Sequence, residues 1–253
     1  MKTTMVSRRS NELRSYTTRV RFFLRGLRDA SRLAAGASVL FVGCGTCEEL
    51  FSLHSISGTS YLVGLDVEGT KLAGPAATVD FGCADAQSIP IKDGCFDFCY
   101  CFHSLEHMTN PTTCVSEIAR VLRDEGELFI STPNRRRLVG YVSSAQRETA
   151  RAILLKNVRE WVARCKGEFE PEKGYHCGFT LGELCKLLTS DFKEVRFVSE
   201  EYAIYMAGPK YHPLVRLMNI FKMLRAICTS HAVFCRHPRR MSLSRLGEGI
   251  LVG

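Results

Sequence analysis

The chain has 253 residues, of which 45% are apolar and 24% charged. That composition suits one large domain with a sizeable core and excludes a disordered, collagen-like or miniprotein chain. No run of 18 or more uncharged apolar residues occurs, and Met1–Ser10 is charged without an apolar stretch, so neither a spanning helix nor a secretory leader is expected. The net charge of +8 is uneven: residues 1–35 and 204–253 each sum to +7, leaving the middle at −6. Two basic ends on an acidic domain read either as solvated faces or as surfaces for an anionic substrate, lipid or nucleic acid. The twelve cysteines are expected to be small buried hydrophobes in a reducing, cytoplasmic setting.

In chain order, residues 9–35 combine many arginines with Val20, Phe22, Phe23, Leu24 and Leu27, which predicts an amphipathic basic helix. Ala37–Val42 is a short apolar run closed by Gly43-Cys44-Gly45, a buried strand followed by a tight turn, and Glu48–His54 continues as a helix. Tyr61–Leu65 is a second strand ending at Asp66, and Val79–Cys83 a third ending near Asp85. Phe96–Phe102 is a fourth, Pro111–Arg123 a helix, and Glu127–Ser131 a fifth strand. Leu181–Leu188 reads as a helix, Glu194–Ser199 as a sixth strand and Gly249–Val252 as a last one. Strands alternating with helices predict a Rossmann-like three-layer α/β/α sandwich with a mostly parallel seven-stranded sheet. The domain is expected to span 36–253 behind the 1–35 basic helix. Inserts at 134–176 and 203–247 are too long for plain connections and are read as helical caps over the substrate. Within them, residues 144–165 place Ala150, Ile153, Leu154, Val158, Trp161 and Val162 on one side, and 213–228 form a basic amphipathic stretch.

The strand-Gly43-x-Gly45 turn lets a ligand approach the backbone, and the next helix offers free N–H groups. Asp66, 21 residues after Gly45, stands where a carboxylate accepts from ribose hydroxyls, and Asp85 where one accepts from an adenine amino group. The third glycine of a dinucleotide fingerprint is missing, since Thr46-Cys47-Glu48-Glu49 follows. A Cys44-x-x-Cys47 pair and Cys99-x-Cys101 do not form the two convergent loop pairs of a structural zinc site, so no metal is expected.

Joined with Phe96-Asp97, Leu105-Glu106-His107, Glu117–Leu122 and Ser131-Thr132-Pro133-Asn134, these features resemble the class I S-adenosylmethionine-dependent methyltransferases of the broad type 11 group. The resemblance is close over about residues 37–133 and looser through Tyr175–Thr180. It implies S-adenosylmethionine as cofactor. Gly43, Cys44, Gly45 and Thr46 would wrap its methionine part, Asp66 its ribose, Val67, Asp85 and Ala86 its adenine, and Phe102 and His103 the region near the sulfonium. Phe41 and Cys47 depart from the usual Asp and Gly.

Methyl transfer to a hydroxyl benefits from a base, and His103, then His176, are the candidates. Arg135, Arg136 and Arg137 suit a phosphate or carboxylate on the substrate. The expected acceptor is therefore a small-molecule, glycan or lipid-type compound, with peripheral contact to a membrane as an added possibility. An RNA methyltransferase and a cofactor-impaired binding subunit are the competing readings. An Asn-Pro-Pro-aromatic stacking motif after the fourth strand is absent, which argues against adenine N6 chemistry on nucleic acid.

Overall fold

The computed structural model describes residues 15–59, 61–69, 79–137, 149–166, 178–207 and 228–239. Residues 15–26 form helix α1, followed by α2 (Ser31–Ala34), β1 (Val39–Val42), α3 (Glu48–Ser57), β2 (Leu62–Asp66) and β3 (Asp80–Cys83). Then come β4 (Phe96–Phe102), a 3-10 turn (Leu105–His107), α4 (Pro111–Val121) and β5 (Leu122–Pro133). The remaining elements are α5 (Ala150–Cys165), α6 (Leu181–Asp191), β6 (Phe192–Phe197), α7 (Ser199–Ala207) and β7 (Ser230–Pro238).

The seven strands lie in the order β3-β2-β1-β4-β5-β7-β6. All neighbours are parallel except β7, which is antiparallel to both β5 and β6. The order reverses between β1 and β4, and ligands in open α/β sheets bind outside the carboxyl ends of the strands at such a switch point.

The period-2 alternation of buried strands sorts side chains into two apolar layers. Leu40, Val42, Cys99, Cys101, Leu128 and Ile130 face α4 and α6, packing on Val115, Ile118, Leu184 and Leu188. Val39, Phe41, Phe98, Tyr100, Phe129 and Phe234 face the other way, onto Val20, Phe23, Leu50, Leu53 and Tyr202. Cys99 and Cys101 thus share one buried face as small hydrophobes. The second layer is aromatic: Tyr100 lies 5.3 Å from Phe23, 4.6 Å from Phe41 and 5.4 Å from Phe129.

Helix α4 begins at Pro111, whose fixed φ suits a first turn, and the Asn110 side chain accepts from Thr113 N–H at 3.2 Å. Its Cys114, Val115, Ile118, Ala119 and Val121 are all buried, and burying each large aliphatic contributes roughly 1.5–3 kcal/mol. The α6 start is a Thr180–Glu183 capping box.

Three expectations change. The seventh strand is Ser230–Pro238, inside the stretch read as the 203–247 insert; Gly249–Val252 lies outside the described residues. The apolar side of α5 is turned outward: Leu154, Leu155, Val158, Trp161 and Val162 are exposed, and the helix is anchored instead by buried Glu160, paired with Arg137 and Arg164. The basic N-terminal helix directs several of its cations into the domain. Arg19 pairs with Glu49 at 3.0 Å, Arg25 lies 5.3 Å over Tyr205, and Arg32, beyond the helix, pairs with Asp97. The stretch 213–227 lies outside the described residues.

Candidate functional site

Chain reversal after β1 is made by Gly43 (φ +66°) and Gly45 (φ +49°). Gly43 is required by space as well: a Cβ there would sit 2.3 Å from the Ser104 hydroxyl oxygen. Ser104 donates toward the Val42 and Gly43 carbonyls at 3.2 Å, so the exits of β1 and β4 are drawn together. The loop is tied to β2 by Gly43 N–H and Cys44 N–H, both donating to Leu65 O at 2.8 and 3.2 Å. Asp66 completes the join, because its Oδ2 accepts from Gly45 N–H at 2.8 Å while Oδ1 accepts from Glu68 N–H at 3.1 Å.

These exits border a groove of about 540 Å³ lined by Gly43, Gly45, Asp66, Val67, Asp85, Ala86, His103, Ser104 and His107, among others. Val67 presents an exposed apolar wall. The Asp85 carboxylate accepts from the Gln87 N–H at 2.8 Å, and from its side-chain amide, which fixes it at the rim. His103 occupies the left-handed region (φ +50°), an uncommon state for a side chain with a Cβ. The kink turns its ring toward Ser230 Oγ, 2.9 Å from Nε2. Phe102 does not line the groove; it stacks on His103 with centroids 4.4 Å apart and carries the Arg19 guanidinium 4.5 Å from its ring centroid. Cys44 and Thr46 lie in the loop without lining the groove. Cys47 takes φ +65° and is buried, its sulfur turned beneath the loop toward Gly64. Its side chain therefore does not crowd the groove.

A second cavity of about 640 Å³ lies at the exits of β5 and β6 and the start of β7, and is lined by Asn134, Arg136, Thr180, Phe197, Cys228 and His231, among others. The expectation of three substrate-facing arginines narrows to Arg136. Arg135 is spent on Gly178 O and on Glu183 at 2.8 Å, and Arg137 is buried against Glu160. His176 lies outside the described residues.

Sequence reading missed His231. Its Nε2 lies 3.1 Å from Phe179 O; a carbonyl only accepts, so Nε2 carries the proton and Nδ1 is the basic nitrogen. Burial lowers its pKa, partly opposed by the Phe179 bond. The signal was faint: one histidine in a short apolar run, Ser230–Cys235. Glu106 was visible in the sequence, but its environment was not. Burial raises its pKa to about 7 against the bond from Thr132 Oγ1, 3.1 Å from Oε2, and its Oε1 is buried without a hydrogen-bond partner. Asp97, at the opposite end of β4 from the groove, is structural. Burial opposes its charge, but Ser38 N–H, Arg123 and the Ser38 hydroxyl hold its carboxyl below the ordinary range. Among the described residues, no three His, Cys, Asp or Glu side chains converge as a metal site.

A glycine turn joined to a carboxylate at the next strand exit, at the switch point of a doubly wound sheet, defines a nucleoside-binding α/β domain of the methyltransferase type. Residues 40–130 match the family described as methyltransferase domain, as the resemblance to the class I S-adenosylmethionine-dependent methyltransferases predicts. The chain is 35% identical over 108 residues to O-methyltransferase cnsE of Penicillium expansum, covering 39% of this chain and 38% of that one. It is 33% identical over 107 residues to a ubiquinone biosynthesis O-methyltransferase of Xanthomonas oryzae pv. oryzae, covering 40% and 45%. The matched stretch thus spans less than half the length of these relatives. The fold is similar to that of the plantazolicin methyltransferase BpumL solved with SAH, with a TM-score of 0.54 at 16% identity over 89% of this chain and 83% of that one. S-adenosylmethionine is the cofactor of this family, and the residues present fit it. The Asp66 carboxylate, the Val67 wall and the Asp85 rim are spaced along one groove of ligand size.

Proposed function

We propose that the chain transfers a methyl group from S-adenosylmethionine to a hydroxyl of a small molecule bearing an anionic group. The observation that carries the reading is the Asp66–Gly45 bond, which sets a carboxylate against the glycine turn in the wall of the groove. The bound cofactor supplies an electrophilic methyl on a sulfonium. The protein aligns an acceptor with it and excludes water. Gly43 and Gly45 admit the ligand to the backbone, and Asp66 receives the ribose hydroxyls through the acceptor capacity left beside its two N–H bonds. His103 lines the groove and bonds Ser230, the neighbour of His231 in the second cavity, where Arg136 would hold the acceptor's anionic group. His231 Nδ1 would accept the proton of the acceptor hydroxyl, a role that its lowered pKa suits. The names of the two relatives above favour oxygen as the acceptor atom.

Calorimetry with S-adenosylhomocysteine tests the first half: saturable one-to-one binding that Asp66→Ala weakens supports the reading, and no binding to the wild-type chain removes it. Transfer of radiolabelled methyl to a panel of carboxylated phenols tests the second. Labelling that ignores the carboxylate, or that Arg136→Ala leaves unchanged, removes the anionic acceptor. The exposed α5 stripe beside Arg151 and Arg159 supports contact with a lipid-like acceptor or an anionic bilayer. Absence of cosedimentation with phosphatidylglycerol vesicles would remove the bilayer.

A further inference from the structure

The two cysteines of the cofactor loop remain outside this chemistry. Cys47 N–H donates to Cys44 O at 2.9 Å, so Cys44-Gly45-Thr46-Cys47 closes a β-turn, which brings its end Cα atoms within about 7 Å. A disulfide spans Cα atoms roughly 4.4–6.8 Å apart, so the turn lies close to bridging geometry and needs only a local shift to reach it. The side chains converge too: the two sulfurs are 3.4 Å apart. Opposite them on β2 stands Gly64, where a Cβ would lie 2.8 Å from the Cys44 sulfur and 3.2 Å from the Cys47 sulfur. The sheet thus leaves a recess that only a glycine provides, and the paired sulfurs occupy it.

We propose that Cys44 and Cys47 form a reversible disulfide within the cofactor loop, and that closing it weakens cofactor binding. One proton shared between adjacent sulfurs eases the first ionisation of the pair: the Cys44 contact lowers the Cys47 thiol, at the cost of holding Cys44 protonated. Transfer of that proton across the contact leaves a thiolate on Cys44, which is half-buried and reachable, whereas Cys47 is enclosed. The oxidant is a low-molecular-weight disulfide. The Cys44 thiolate attacks one of its sulfurs and expels one thiolate. The Cys47 thiolate then attacks the Cys44 sulfur and expels the second. Two protein thiols are oxidised, one small disulfide is reduced to two thiols, and the two protons pass to the departing thiolates.

The link to binding is geometric. Drawing the sulfurs from 3.4 Å to bonding distance, about 2.05 Å, must move the two Cα atoms and rotate the peptides between them. Gly45 N–H, the donor to Asp66 Oδ2, belongs to those peptides. The same loop supplies Gly43 and Gly45 to the groove wall. The oxidised turn therefore misplaces the contacts on which the proposed function rests. Transient disulfides of this kind occur as redox-sensing devices where thiols are otherwise kept reduced.

The test uses the full chain treated with oxidised glutathione and digested with trypsin without reduction. Cleavage after Arg32 and Lys71 yields a peptide whose only cysteines are Cys44 and Cys47. We expect it to lose two hydrogens and take up no alkylating agent, and to regain two alkylation sites after dithiothreitol. A peptide that stays fully alkylatable, or that accumulates only as glutathione adducts, overturns the disulfide. Affinity for S-adenosylhomocysteine should fall about tenfold on oxidation and recover on reduction. The Cys47→Gly variant, suited to the left-handed φ, should show no such dependence. Unchanged affinity with the disulfide fully formed overturns the gating. Failure of the reduced wild-type chain to bind at all would instead count against the cofactor assignment, while the mass shift is read independently of binding.

Discussion

The Asp66 Oδ2 atom lies 2.8 Å from the Gly45 backbone nitrogen, a hydrogen bond that joins the exits of β1 and β2 across 21 residues. Hydrogen bonds to a charged group are worth about 1.5–3 kcal/mol. Asp66→Ala removes this loop tie together with the proposed ribose acceptor, so S-adenosylhomocysteine affinity should drop by roughly 10- to 100-fold. Calorimetry reads it directly. A change smaller than about twofold would mean that Asp66 shapes the loop without meeting the ligand.

His231 should titrate below the ordinary histidine value of 6.5, because burial disfavours its charged form. A folded-state pKa depressed for a base means the unfolded chain binds more protons. The corresponding stability is present above the unfolded pKa and is lost as pH falls through it. Histidine NMR titration and urea midpoints measured across pH 5–8 check both statements. His231→Gln should flatten that part of the stability curve, and should slow methyl transfer about 10²-fold or more if the ring is the base.

Glu106 has the opposite sign. Its folded-state pKa is raised to about 7 from 4.5 by burial, so the native state binds the extra proton between those values. Stability from this group is full below about 4.5 and declines as pH rises toward 7. Glu106→Gln keeps an acceptor for Thr132 and cannot ionise, so the decline should shrink. An unchanged pH profile of the urea midpoint would count against a buried, proton-holding Glu106.

Asp97 is buried and held by Arg32, Arg123 and Ser38, far along β4 from the groove. Removing one partner of a fully buried pair costs 3–5 kcal/mol; here both arginines keep partial solvent contact, so Asp97→Ala should cost about 2 kcal/mol. Because its carboxyl pKa is depressed in the fold, this stability is present above the unfolded value and lost as pH falls through the folded one. Chemical denaturation should show the loss, with S-adenosylhomocysteine affinity of the folded variant within about twofold of wild type.

How far the sequence reached follows the range of the interactions. The first half of the sheet was legible because each strand is a short apolar run ending in its own turn residue: Gly43 after β1, Asp66 after β2, Phe102-His103 after β4. Parallel βαβ order then places those ends side by side, so a carboxylate 21 residues from a glycine becomes its neighbour without further information. The arginines at 135–137 were legible as charges but not as contacts. Whether a guanidinium meets Glu183, Glu160 or a cavity depends on helices α5 and α6, which no local spacing positions.

What the amino-acid sequence by itself determined was the doubly wound layering and the cofactor side of the groove, because alternation, glycine turns and strand-end carboxylates act over a few to some twenty residues. The tertiary structure alone decided the surroundings of the second cavity. Strand β7 enters antiparallel between β5 and β6 and carries Ser230 to within 2.9 Å of His103, 127 residues earlier in the chain. The same insertion sets His231 into the second cavity. Such pairings depend on which edge a late strand finds already formed, and backbone hydrogen bonding along an open strand edge, not side-chain periodicity, makes that choice.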